Sequence, residues 1–107
     1  MLYFLMDNDS LVLGPFQGDV ACTIIPLGKG VCGTAAAKKE TIIVEDVNKF
    51  EGHIACSSAS KSEIVVPIIK NEEVVGVIDL DAPLLSRFSE KEAKLLESVA
   101  ATLSKVF

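Results

Sequence analysis

The feature that most constrains the fold is a pair of apolar runs, Glu63 to Lys70 and Val74 to Asp81, separated by the polar triplet Asn71-Glu72-Glu73. Runs of this length, rich in Val and Ile and joined by a short polar turn, read as the two strands of a hairpin. An earlier stretch repeats the theme. Residues 2–6 are apolar, Asp7-Asn8-Asp9-Ser10 is a turn cluster, and Leu11-Val12-Leu13 restarts the run. Pro15 and Gly18 break or bulge that second strand. Cys22-Thr23-Ile24-Ile25, closed by Pro26, is a third strand candidate, and Thr41-Ile42-Ile43-Val44 is another.

Two segments read as helices. The glycine-rich Gly28-Lys29-Gly30-Val31-Cys32-Gly33 runs into Thr34-Ala35-Ala36-Ala37-Lys38, where the alanines favour helix and Thr34 lies near its start. Near the C-terminus, Ser89-Glu90-Lys91-Glu92 is a capping box, and Leu96, Val99, Leu103 and Val106 repeat at helical spacing to form one apolar stripe. Hairpins, a central helix and a C-terminal helix make an α+β fold, an antiparallel sheet flanked by helices. With 107 residues and no repeat or linker, one domain is expected. Residues 45–62 are mostly irregular, with one helical turn around Val47 to Phe50; a connector this long tends to be functional.

Charge narrows the function. The net charge is −5 and the ten basic residues are scattered, so the basic stripe of a nucleic-acid binder is missing. No apolar run approaches the roughly 18 residues of a membrane span. The opening residues lack a basic leader and are too few for a signal peptide. A cytoplasmic protein without nucleic-acid or membrane partners is expected.

Three features carry chemistry. Cys32 sits in a glycine frame at a helix start, where aligned amides favour a thiolate and lower the thiol pKa; the alternative is a small residue packed where backbones approach closely. His53 and Cys56 are three residues apart in the long loop, so the imidazole could favour a Cys56 thiolate. Asp79 and Asp81 share one face of a strand, and Glu63 adds a third acid. Carboxylates so close repel, which keeps one protonated and able to donate to a reacting oxygen. Cys22, Cys32, Cys56 and His53 would also supply a Cys3His set for zinc, though without the knuckle spacing of structural zinc sites.

Taken together, Leu11-Val12-Leu13-Gly14-Pro15-Phe16-Gln17-Gly18, Gly30-Val31-Cys32-Gly33-Thr34-Ala35, Gly52-His53-Ile54-Ala55-Cys56, Ser62-Glu63-Ile64-Val65-Val66-Pro67 and Ile78-Asp79-Leu80-Asp81 resemble consecutive signatures of the free methionine-R-sulfoxide reductases. The resemblance implies a GAF fold over residues 1–107, usually as a homodimer, and an enzyme acting on the free amino acid. It implies Cys56 as nucleophile, Cys32 as its resolving partner and Cys22 as an auxiliary thiol. Glu63, Asp79 and Asp81 match the acidic pocket residues, and Tyr3 the pocket aromatic. The implied chemistry is a sulfenic acid on the nucleophile, condensation to an intramolecular disulfide, and regeneration by thioredoxin, with no metal or organic cofactor. Family members usually begin with a helix and a strand carrying a Trp-x-Gly-Phe-Tyr pattern. This chain starts near the end of that pattern, at Tyr3-Phe4 and without tryptophan, so the domain is expected to be short at its front end. The alternatives are a non-catalytic GAF module that binds a small ligand, an inactive shortened reductase, and a zinc module.

Overall fold

The computed structural model describes residues 1–18, 22–52 and 59–107. In chain order these form β1 (Leu2–Leu5), β2 (Ser10–Leu13), β3 (Ile24–Pro26), α1 (Gly30–Lys38), β4 (Ile42–Val44), a 3-10 turn (Val47–Lys49), β5 (Ser62–Lys70), β6 (Glu73–Ala82) and α2 (Glu90–Leu103), with a last 3-10 turn at Ser104–Val106. The strands make one antiparallel sheet in the order β3-β2-β1-β6-β5-β4. An antiparallel sheet with a C-terminal helix is the expected class.

The β5–β6 hairpin is the centre of this sheet and is covered on both faces. Residues alternate along each strand, so Val65 and Val77 point to one side with Tyr3, Leu11 and the α1 residues Val31, Cys32, Ala35 and Ala36. Ile64, Val66, Ile68 and Ile78 point to the other, against Ala93 and Ala100 of α2. The connecting turn is tighter than the triplet suggested. Asn71 and Glu72 both take positive φ (53° and 69°), the backbone that lets a two-residue turn match the strand twist.

Both helices depart from expectation in detail. α1 begins at Gly30, four residues before Thr34, whose hydroxyl instead donates back to the Gly30 carbonyl. The glycine frame has a packing cause: a Cβ at Gly33 would lie 2.5 Å from the Pro26 carbonyl oxygen, and Gly30 enters the helix with φ 62°. α2 carries the full capping box on Ser89 and Glu92. Its contact stripe is Ala93, Leu96, Ala100 and Leu103, whereas Val99 and Val106 of the expected stripe are exposed. Ala93 and Ala100 take the contact positions of α2, Val99 falls off that face, and Val106 lies past the end of the helix in the last 3-10 turn. Among the described residues, no helix is long and apolar enough to cross a membrane.

Candidate functional site

The site lies on the α1 side of the sheet, at the end of the β5–β6 hairpin where Glu63 is the direct cross-strand partner of Asp81 and Val65 that of Asp79. Register alone therefore places three carboxyl groups within one turn of strand pleat on a single face. Burial separates them. Glu63 and Asp79 are 6% and 5% exposed, while Asp81 lies at the rim. α1 brings a fourth group. Cys32 is buried at 3%, and its sulfur and one carboxylate oxygen each from Glu63 and Asp79 all lie within 4.8 Å of one another.

Burial fixes the proton inventory of this cluster. Loss of water, a hydrogen bond to Asp79 and the nearby charges of Asp79 and Asp81 push the Glu63 carboxyl up to about 12, so it is neutral at pH 7. Asp81 is pushed up to about 6, first by loss of water and then by Asp79, while hydrogen bonds from Glu63 and Ser60 act in the opposite direction. The Ser60 hydroxyl lies 3.3 Å from Asp81 Oδ1. A protonated acid was expected within the Asp79–Asp81 pair; the strong upward push falls instead on Glu63, across the sheet from Asp81.

Cys32 corrects two expectations. Its position at a helix start was expected to lower the thiol pKa. Instead burial, the charges of Asp79 and Glu63, and a hydrogen bond to Asp79 raise it well above the usual thiol range. Burial, with two carboxyl groups within 4.8 Å, outweighs the partial charge of a helix terminus. The disulfide, moreover, falls on Cys22, and Cys32 is a free thiol. The roles implied for them, Cys32 resolving and Cys22 auxiliary, are therefore not those the structure displays. Cys22 lies half-buried on the segment entering β3, while Cys32 is fixed in the core by α1. The disulfide also removes Cys22 from the Cys3His set considered for zinc. Cys32, Glu63 and Asp79 are the group of described residues that could converge on a cation, and Glu63 and Cys32 would each have to lose a proton to do so. Cys56 and His53 lie outside the described residues.

Tyr3 connects the cluster to Cys22. It is 1% exposed, and its hydroxyl donates to the Cys22 carbonyl at 2.8 Å. Loss of water, then Cys32 and the three acids, raise its phenol far above the usual range, so it acts only as a neutral donor. Tyr3 was expected to wall the substrate pocket. Among the described residues the cavity beside the acids, about 500 Å³, is lined by Met1, Gln17, Ser60, Asp79, Asp81 and Pro83 with their neighbours, and Tyr3 is not part of that lining. Sequence reasoning missed Ser60, whose hydrogen bond to Asp81 leaves no sequence signal.

This arrangement has known counterparts. A GAF domain family model matches residues 1–107, the whole chain. The chain belongs to the GAF domain family. It is similar to the free methionine-R-sulfoxide reductase of Escherichia coli (strain K12), 47% identical over 97% of this chain and 63% of that protein. The protein of the same description from Saccharomyces cerevisiae is 54% identical over 92% of this chain and 56% of its own length. Among solved structures, free methionine-R-sulfoxide reductase from Neisseria meningitidis in complex with its substrate superposes with a TM-score of 0.95 and 48% identity, over 97% of this GAF domain and 63% of that chain. The GAF domain described here thus spans about three-fifths of the length of these relatives.

Proposed function

We propose that this GAF domain reduces free L-methionine-(R)-S-oxide to L-methionine with its own thiols. The observation that carries the reading is a proton-bearing carboxyl, Glu63, held in an acidic cluster that Tyr3 links to a cysteine engaged in a disulfide. The relatives described as free methionine-R-sulfoxide reductases support it.

In this reading the Cys56 thiolate attacks the sulfoxide sulfur while Glu63 donates its proton to the sulfoxide oxygen. The sulfoxide is reduced to methionine, its oxygen leaves on the Cys56 sulfur, and Cys56 is oxidised to a sulfenic acid. The Cys22 thiol then condenses with that sulfenic acid, forming an S–S bond and releasing water. An external dithiol such as thioredoxin exchanges with the disulfide and returns both thiols. Asp79 and Asp81 bind the ammonium of the free amino acid; a peptide-linked residue has no such charge there. No metal or organic cofactor enters this balance. A homodimer and a cytoplasmic setting belong to the same reading.

The test follows both epimers of free methionine sulfoxide with thioredoxin, thioredoxin reductase and NADPH. Turnover of the R epimer alone, lost in Cys56→Ser, is expected. In Cys22→Ser one equivalent of methionine should form and a sulfenic acid should be trapped by dimedone. Binding of the sulfoxide without turnover, unchanged in Cys56→Ser, would replace this reading with a ligand-binding GAF module.

A further inference from the structure

The buried thiol of Cys32 is left over by that mechanism. It is free while Cys22 is oxidised, 3% exposed, and held in α1 by a glycine frame that admits no larger neighbour at Gly33. What it faces is Asp79, a carboxylate 5% exposed in the middle of the site. A carboxylate this dry needs donors, since each unsatisfied lone pair costs free energy. The Cys32 sulfur and a Glu63 carboxyl oxygen each lie within 4.8 Å of an Asp79 carboxylate oxygen, close enough for both to serve as its donors. Asp79 Oδ1 keeps no hydrogen-bond partner among the described residues, although it is buried. One oxygen of Asp79 is therefore a buried acceptor without a donor, the kind of group that a ligand cation entering the site would satisfy. A thiol has a proton to give here only while it stays a thiol.

We propose that Cys32 is a positioning residue: its S–H donates to Asp79 and aims the open Oδ1 at the ammonium of the amino-acid substrate, and its sulfur takes no part in electron transfer. The proposal rests on the reductase reading for the identity of the ammonium, and on the approach of the Cys32 sulfur to within 4.8 Å of an Asp79 carboxylate oxygen for the contact. Serine retains a donor at this place and alanine does not.

Two measurements on the full chain separate the possibilities. The first is infrared spectroscopy of the S–H stretch in the oxidised protein, isolated as the difference between wild type and Cys32→Ser. A band displaced to lower frequency than that of a free thiol, and returned toward the free position by Asp79→Ala, is expected. A band at the free-thiol position in the wild type overturns the proposal whatever the enzyme does. The second is steady-state kinetics on the R epimer. Cys32→Ala should raise KM about tenfold with kcat changed far less, as expected for loss of a hydrogen bond to a charged group. Cys32→Ser should stay within about twofold of wild type, and Cys32→Ala should add nothing in an Asp79→Ala background. A kcat lost in Cys32→Ser and in Cys32→Ala alike, roughly a hundredfold or more below wild type, would make the thiol a redox participant and overturn the proposal, as would an unchanged KM in Cys32→Ala. A wild type without turnover would sink the reductase reading, and the infrared band would still decide the positioning role.

Discussion

Replacing Glu63 by glutamine should make the protein more stable, and increasingly so as the pH rises. In the folded state the Glu63 carboxyl holds its proton up to about pH 12, against an ordinary value of 4.5. The unfolded chain releases that proton above pH 4.5 and the folded chain does not, so the stabilisation by proton retention is complete below pH 4.5 and is lost as the pH climbs. The loss is about 1.4 kcal/mol per pH unit from this one group, or about 2.7 kcal/mol between pH 5.5 and 7.5. Glutamine keeps the shape and the donor toward Asp79 but does not titrate. The assay is thermal unfolding of oxidised wild type and Glu63→Gln at intervals from pH 5.5 to 7.5. The gap in Tm between the two should widen over that range by on the order of 10 °C, given that each kcal/mol moves Tm by roughly 4–8 °C in a domain this small. Parallel curves would show that Glu63 is ionised in the folded protein, and would remove the proton donor from the proposed mechanism.

Four further outcomes are expected. Gly76→Ala would place a Cβ 2.3 Å from the Tyr3 carbonyl oxygen and prise β1 from β6, lowering stability by roughly 1–3 kcal/mol; an unchanged urea midpoint would refute the close approach. Asp81 is pushed up to about 6, so if it binds the ammonium as a carboxylate, as proposed, KM for the sulfoxide should fall as the pH rises from 5 to 7, and Asp81→Asn should flatten that profile. Tyr3→Phe removes the donor to the Cys22 carbonyl and should cost about 1 kcal/mol in denaturant unfolding, with no gain in apolar burial to offset it. Ser89→Ala deletes the α2 cap and should also cost about 1 kcal/mol, detected as earlier fraying of the first helical turn by amide exchange.

What the sequence made legible was local. The hairpin runs, the turn at Asp7 to Ser10 and the capping box at Ser89 each declare themselves within a few residues, and each forms where it was read. The start of α1 escaped because Gly30, with its positive φ, opens the helix without a side-chain cap, while the nearby Thr34 offered a false one. The α2 stripe was misread because apolarity ranks valine above alanine, whereas close packing on the sheet favours Ala93 and Ala100. Asp79 and Asp81 were readable as a pair from strand parity, and Glu63 was named beside them without a register to join it. Their proton distribution was not readable, since it depends on the cross-strand pairing of Glu63 with Asp81 and on which group α1 covers. The behaviour of Cys32 was hidden for the same reason: its helix is visible locally, but the carboxyl groups opposite it come from β5 and β6.

The placement of β1 between β2 and β6 has a consequence for how the domain assembles. Leu2 pairs with Ile78, so this seam joins strands far apart in sequence, whereas β1-β2-β3 and β5-β6 are ladders between sequence neighbours. Neighbouring strands close short loops, and a pairing across most of the chain must overcome a larger loop entropy. Loop entropy alone therefore favours two locally folded pieces forming first, with this seam closing last. Tyr3 arrives with one piece and Glu63, Asp79 and Asp81 with the other, so the site comes into being only at that final docking step. A nascent or partly opened chain can hold both ladders intact and still have no pocket.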